Sequence, residues 1–228
     1  MLSVAQSQPS ERAEFIRKTY IHLAGAIAAF TLLQYIFINT GISAVLGNLI
    51  AAGGNLGWIA ILGAFALIGW LSRSLTARAD DEGLQYLGLS LYVLFEALIF
   101  APMIWIAHSM AGGVLLNAAL LTLCMFAGLT TIAFTTKKDF SFLGGFLRIG
   151  GFVALGFILC GLIFGFQLGL FFSVAMVGFA SMAILYDTSK VMQHYSTRHH
   201  VAASLELFAS VALLFWYILR ILMQLNRR

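Results

Sequence analysis

Three acids stand where the chain carries little other charge. Asp187 ends nineteen residues, 168–186, that hold no charged side chain. Glu96 is the thirteenth residue of the apolar run 84–107, with Pro102 one and a half turns later. Glu206 precedes Ser210 by four positions, so on a helix the two share a face. Ionisable groups at membrane depth are costly, and they face a cavity or a partner. The chemistry open to these side chains is proton exchange or cation coordination. Asp187 and Glu206, if they share a proton, titrate as a coupled pair; the alternative is that both mark the membrane interface and are solvated. Glu96 also has two readings, a neutral carboxyl bonded to another helix or a member of an ion or proton path. Pro102 frees a backbone carbonyl near the same depth.

The remaining polar residues in apolar surroundings carry weaker signals. Arg148 and Arg220 have stems long enough to snorkel to the nearer surface, and Arg148 has a second option in pairing with Asp187 or Glu96. His194, His199 and His200 fall in a basic loop and read as solvated and pH-responsive; a metal site wants fixed spacing on an ordered element, usually with Cys or carboxylate partners. Cys124 and Cys160 lie inside apolar runs and read as small hydrophobes. Gly161, Gly165 and Gly169 recur every fourth residue, as a close-packing helix face would, and Gly144, Gly145, Gly150, Gly151 and Gly156 enrich the same region.

These residues are positioned by an unusual chain. Of 228 residues 61% are hydrophobic and 10% charged, against about 25% charged in a soluble domain. The chain therefore reads as an all-α polytopic membrane protein whose first solvent is the lipid bilayer. Its net charge of +4 is no signal for nucleic acid, because in a membrane protein the placement of basic residues matters more than their sum. Seven apolar runs approach the roughly 20 residues that cross a bilayer: 20–40, 55–75, 84–107, 114–136, 142–166, 168–187 and 202–223. Residues 1–19 read as a polar cytoplasmic tail without a cleavable signal, and 20–228 as a single seven-helix transmembrane domain. The uncharged stretch 41–54 reads as an external loop with a partly buried short helix.

Basic residues set the orientation. Arg12, Arg17 and Lys18, then Arg73 and Arg78, Lys137 and Lys138, and Lys190 and Arg198 gather in the N-terminal segment and in alternate loops. The rule that basic loops stay inside puts the N-terminus in the cytoplasm and, after seven crossings, the C-terminus outside. Arg220, Arg227 and Arg228 oppose the rule and are outnumbered.

Enzyme readings find no support. The sequence has no HExxH helix, no GxSxG elbow and no Walker loop. The seventh run has no lysine for a retinal Schiff base. No cofactor is expected.

Four segments carry a family resemblance: "FIRKTY" before the first run, "FEALIFAPMI" in the third, "TTKKDFSFLGGFL" between the fourth and fifth, and "AILYDTSKV" ending the sixth. In that order the chain resembles the Bax inhibitor-1 (transmembrane Bax inhibitor motif) family over nearly its whole length, and most of all its bacterial YccA-like branch. The resemblance implies six helices around a central seventh. It implies a bacterial inner-membrane protein that modulates the membrane AAA protease FtsH, with a pH-sensitive calcium leak as the alternative. In the leak members an aspartate ending span six bonds a second aspartate early in span seven, near an arginine from span two. Asp187 matches the first aspartate, Ser210 falls where the second would be, and Arg73 lies within one position of the arginine. A hydroxyl can bond Asp187 but cannot share its proton as a second carboxylate would; Glu206, a turn away, is the other candidate. For calcium, which takes oxygen ligands, the oxygens available are Asp187, Glu206, Ser210, Glu96 and Asn117.

A topology reporter inserted at 138–140 should be cytoplasmic and one following the seventh span external. A cytoplasmic signal from the second would show that the seventh run does not cross.

Overall fold

The computed structural model describes residues 4–78, 80–110, 112–136 and 138–226. Lys137, Arg227 and Arg228, used above for orientation, lie outside the described residues. Among those described there are seven long helices and no strand: α1 (Pro9–Asn39), α2 (Ile42–Thr76), α3 (Glu82–Ser109), α4 (Val114–Thr136), α5 (Leu143–Phe164), α6 (Leu170–Gln193) and α7 (His200–Asn226), with a short 3-10 turn, Val4–Gln6, ahead of them. Each of the seven is long and apolar enough to span a membrane. The bundle's outer surface is correspondingly apolar, with Leu56, Phe142, Phe152, Phe164 and Phe171 largely exposed. Cys124 and Cys160 lie on that surface, so they are lipid-facing and not part of the core.

Burial is concentrated on α7. Fifteen of its residues are buried, among them Leu205, Leu207, Leu214 and Leu219. A helix apolar on most sides is the one a bundle encloses. It packs on α1, α2, α3, α4 and α6. At mid-depth Phe100 joins α3 to α7, edge-on to Trp216 at 4.8 Å and stacked on Phe215 at 5.8 Å, with Phe30 of α1 edge-on at 5.2 Å. Lipid is as apolar as these side chains, so close packing and polar bonds between helices do what burial does in water. Two such bonds tie α1 inward. Ser204 Oγ lies 2.8 Å from the Thr19 carbonyl, and Gln34 Nε2 donates to the Ala97 carbonyl at 2.8 Å.

The loops sort into two ends. At the basic end Val4 N donates to Tyr195 O at 2.8 Å, and Arg198 lies 3.9 Å from Asp80. The far end holds the turn 40–41, Gly112 and Gly113, the turn 165–169 and the end of α7. Residues 4–19 are not a free tail: α1 begins at Pro9, and Val4, Phe15 and Thr19 are buried in the bundle. α6 likewise runs six residues beyond Asp187, which places that acid inside a helix rather than at its end.

Segment 41–54 is helical. It continues into α2 across one break at Gly54, whose φ of +52° favours glycine, and only 55–76 is of membrane length. The expected glycine face at 161, 165 and 169 does not exist, because α5 stops at Phe164. Gly165 caps it in a left-handed conformation (φ +74°) and Gly169 opens α6. The glycine-rich start of α5 does serve packing, since a Cβ on Gly144 or Gly150 would fall 2.9 or 2.8 Å from the rings of Tyr186 and Phe179.

The tightest approach is between α2 and α3. A Cβ on Gly88 would lie 2.8 Å from the Ser72 carbonyl and 3.0 Å from Leu75 and Thr76. Gly88→Ala should force the two helices apart and cost about 1–3 kcal/mol. Gly145, with nothing within 4 Å, should tolerate alanine. Thermal unfolding of both variants in detergent checks the contrast.

Candidate functional site

α7 carries one polar stripe. Glu206, Ser210, Tyr217, Arg220 and Gln224 recur at three-, four- or seven-residue spacing, with Leu213 between them, and so fall on one side of the helix. The stripe was legible in the sequence, but only Glu206 and Ser210 were taken up there as site residues, with Arg220 read as snorkelling. All six residues line one cavity of about 1050 Å³, walled by α2, α3, α5, α6, α7 and the 165–169 turn. Glu206 and Gln224 are eighteen positions apart, about 27 Å at 1.5 Å per residue, close to the ~30 Å of a hydrocarbon core. The waist of the cavity is apolar, with Phe100, Met103, Leu213 and Trp216.

Four of the sequence candidates meet at the basic end. Ser210 Oγ donates to Asp187 Oδ2 at 2.6 Å, in a buried contact between α7 and α6. One turn nearer the basic end, Arg73 Nε donates to Glu206 Oε1 at 3.1 Å. Gly69 makes room for that guanidinium, since a Cβ there would come 3.4 Å from Arg73 Nη1. Two polar contacts are thus stacked a turn apart: a buried hydroxyl–carboxyl bond and a half-exposed ion pair. Asp187 pairs with Ser210, and Glu206 is occupied by Arg73.

Glu96 lines the same cavity and is 5% exposed. Tyr92 faces Phe208 at 6.2 Å and Phe100 faces Trp216, which sets Glu96 between those levels of α7. Among the described residues it has no ion pair. Asn117 is not part of the site; it lies at the far end, its Nδ2 3.2 Å from the Gly112 carbonyl. Arg148 is exposed and forms no ion pair among the described residues. Arg220 does not snorkel free, because its Nη2 donates to the Leu168 carbonyl at 2.7 Å.

The histidines divide. His194 stays exposed, His199 is half-buried with its Nε2 3.3 Å from the Ala77 carbonyl, and His200 is buried, its ring 4.9 Å from that of His22. Two of the motif segments also meet in space. Phe140 N donates to Ser189 Oγ at 3.0 Å, while Asp139 accepts from the hydroxyl and N–H of Ser141, which hold its carboxyl below the usual range. That contact fixes the loop before α5 to the end of α6, a role for Asp139 and Ser189 that the sequence did not reveal.

This geometry accompanies a family match over almost the entire chain. A family model described as "Inhibitor of apoptosis-promoting Bax1" matches residues 12–227. An uncharacterized protein of Pseudomonas aeruginosa is 40% identical over 113 residues, 48% of this chain and 50% of that protein. Bax inhibitor 1 of Schizosaccharomyces pombe is 34% identical over 143 residues, 60% of this chain and 52% of the relative. The chain thus spans about half the length of these two relatives. The Golgi anti-apoptotic protein of Vaccinia virus (strain Lister) is 26% identical over 235 residues, 99% of this chain and 92% of the relative. A helical, multi-pass membrane protein is the class that the fold defines. Within that class, the chain belongs to the Bax inhibitor-1 family.

Removing the Ser210 hydroxyl leaves a buried carboxyl oxygen without its donor. Ser210→Ala should therefore lower stability by about 1–2 kcal/mol. Combined with Asp187→Asn, it should cost less than the two separate losses added together. A double-mutant cycle of unfolding in detergent measures the coupling, and strictly additive losses would contradict the bond.

Proposed function

We propose that the chain forms a cation pathway through the membrane, closed at its basic end by the Asp187–Ser210 bond and the Arg73–Glu206 pair. The observation that carries this reading is the cavity along α7, which has nearly the length of a hydrocarbon core and acids at one end. Calcium is the transported ion, since the oxygens of Asp187, Glu206 and Glu96 are the hard ligands it takes. The pathway needs no catalytic group and no resident cofactor. Its basic end faces the cytoplasm and the end of α7 faces the periplasm, as the basic loops require, in a bacterial inner membrane.

Closure here differs from an acid–acid latch. Ser210 gives Asp187 a donor that does not titrate, so the wild-type leak should respond weakly to pH. Glu206 neutralises Arg73 instead of sharing a proton with Asp187.

A second reading is association with FtsH, as in the YccA-like branch that the four sequence motifs resemble. It is favoured by α5, of whose residues Ala154 alone is buried, leaving a long face that a partner helix can cover. Residues 4–19, anchored in the bundle by Val4, Phe15 and Thr19, offer such a partner less.

Calcium flux into proteoliposomes tests the pathway. The Arg73–Glu206 pair is half-exposed, so its loss should cost closure about 1 kcal/mol, a factor of about five in the closed-to-open ratio. Arg73→Ala and Glu206→Gln should each raise the leak by about that factor. Ser210→Asp should add a pH response the wild type lacks: with one shared proton the two acids stay bonded, and as pH rises and the proton leaves, their repulsion opens the path. Flux equal to that of protein-free vesicles for the wild type and all three variants, across pH 6–8, would overturn the pathway. Slower substrate cleavage by purified FtsH on adding the protein would then support the second reading.

A further inference from the structure

The two closures of the basic end leave the other end of the cavity to be explained. There the cavity is bounded by Phe166, Gln167 and Leu168 of the turn and by Arg220 and Gln224 of α7. Arg220 Nη2 reaches 2.7 Å across to the Leu168 carbonyl, so one hydrogen bond from a charged donor ties the turn to the central helix. The turn lies between Gly165, in a left-handed conformation, and Gly169, and it is short. The helix it ends, α5, packs on α6 and α2, and among the described residues makes no backbone contact with α7. A segment with so few buried contacts opens at low cost.

The guanidinium has a second acceptor within reach. Gln224 follows Arg220 by one helical turn, on the same face. Its Oε1 is buried and accepts no hydrogen bond among the described residues. Arg220 can thus exchange the Leu168 carbonyl for the Gln224 carbonyl without losing a partner, which is the condition for two discrete arrangements of similar energy. Among the described residues, Arg220 and Arg73 are the only basic ones lining the cavity. In the first arrangement the Arg220 charge stands at the mouth, where it also repels an entering cation.

We propose that Arg220 is the lock of a second gate. Bonded to Leu168, it holds the 165–169 turn across the far end of the cavity; turned to Gln224, it releases the turn and the end of α5. This deepens the pathway reading, and rests on it only for the identity of what passes.

The test reads opening without any ion. In a background carrying Cys124→Ala and Cys160→Ala, Leu213→Cys places a thiol in the cavity waist. Its labelling by a charged, membrane-impermeant thiosulfonate is timed in nanodiscs. Arg220→Ala should speed labelling about tenfold, as the loss of a hydrogen bond from a charged donor allows. Gln224→Ala, which removes the alternative acceptor, should slow it below the parent rate. Unchanged labelling in a folded, monodisperse Arg220→Ala protein would overturn the lock. So would faster labelling in Gln224→Ala, which would mean a general loosening of this end. If Arg220→Ala does not fold, the Gln224→Ala rate decides by its sign. Calcium flux measured in parallel separates the two ideas. Labelling that shifts as expected with no flux leaves the gate standing and removes the pathway, whereas flux with unshifted labelling does the reverse.

Discussion

A polar stripe on a helix surrounded by lipid has nowhere to go but inward. Water is absent from the hydrocarbon core, so Glu206, Ser210, Arg220 and Gln224 must find partners in the bundle or line a space that water can enter. Because they lie on one face of α7, that face must meet other helices or a cavity along its length. The apolar remainder of α7 is free to pack, and five helices pack against it. The central position of α7 and the cavity beside it are two consequences of one constraint.

Around the cavity the helices divide by how firmly they are held. α1, α3 and α6 are locked to α7 by aromatic contacts and by single polar bonds, among them Ser204 to Thr19 and Ser210 to Asp187, while α4 packs on it through apolar side chains. α5 is not. It rests on Tyr186 and Phe179 of α6 through Gly144 and Gly150, and at mid-length Ala154 is buried with Met176 and Tyr217. One end is held by the Asp139–Ser189 loop and the other by Arg220. Along most of its length α5 is left to lipid, with Ala154 its one buried residue.

Much of this was legible early. Seven spanning helices follow from hydropathy, and the cost of charge in lipid singles out Asp187, Glu96 and Glu206 as acids that need shelter. The misreadings share a cause. The 161–165–169 glycine spacing implies a helix face only if the helix continues, and a left-handed Gly165 ends it; the residues alone do not say which role a glycine takes. Residues 1–19 look like a solvated tail because Arg12, Arg17 and Lys18 dominate the composition. The buried positions among them, Val4, Phe15 and Thr19, reveal a packed face only once the rest of the bundle supplies partners.

The sequence by itself determined that the chain lives in a membrane, that it crosses as helices and that a few acids must be sheltered there. Composition and run length are local properties, and the cost of an unsatisfied polar group in lipid leaves few architectures open. Only the tertiary structure decided partners. Whether Asp187 meets Ser210 or Glu206, and whether Arg220 reaches lipid headgroups or the Leu168 carbonyl, depends on the relative depth and rotation of α2, α6 and α7. Those are set by side-chain packing between segments far apart in the chain, and no single segment encodes them.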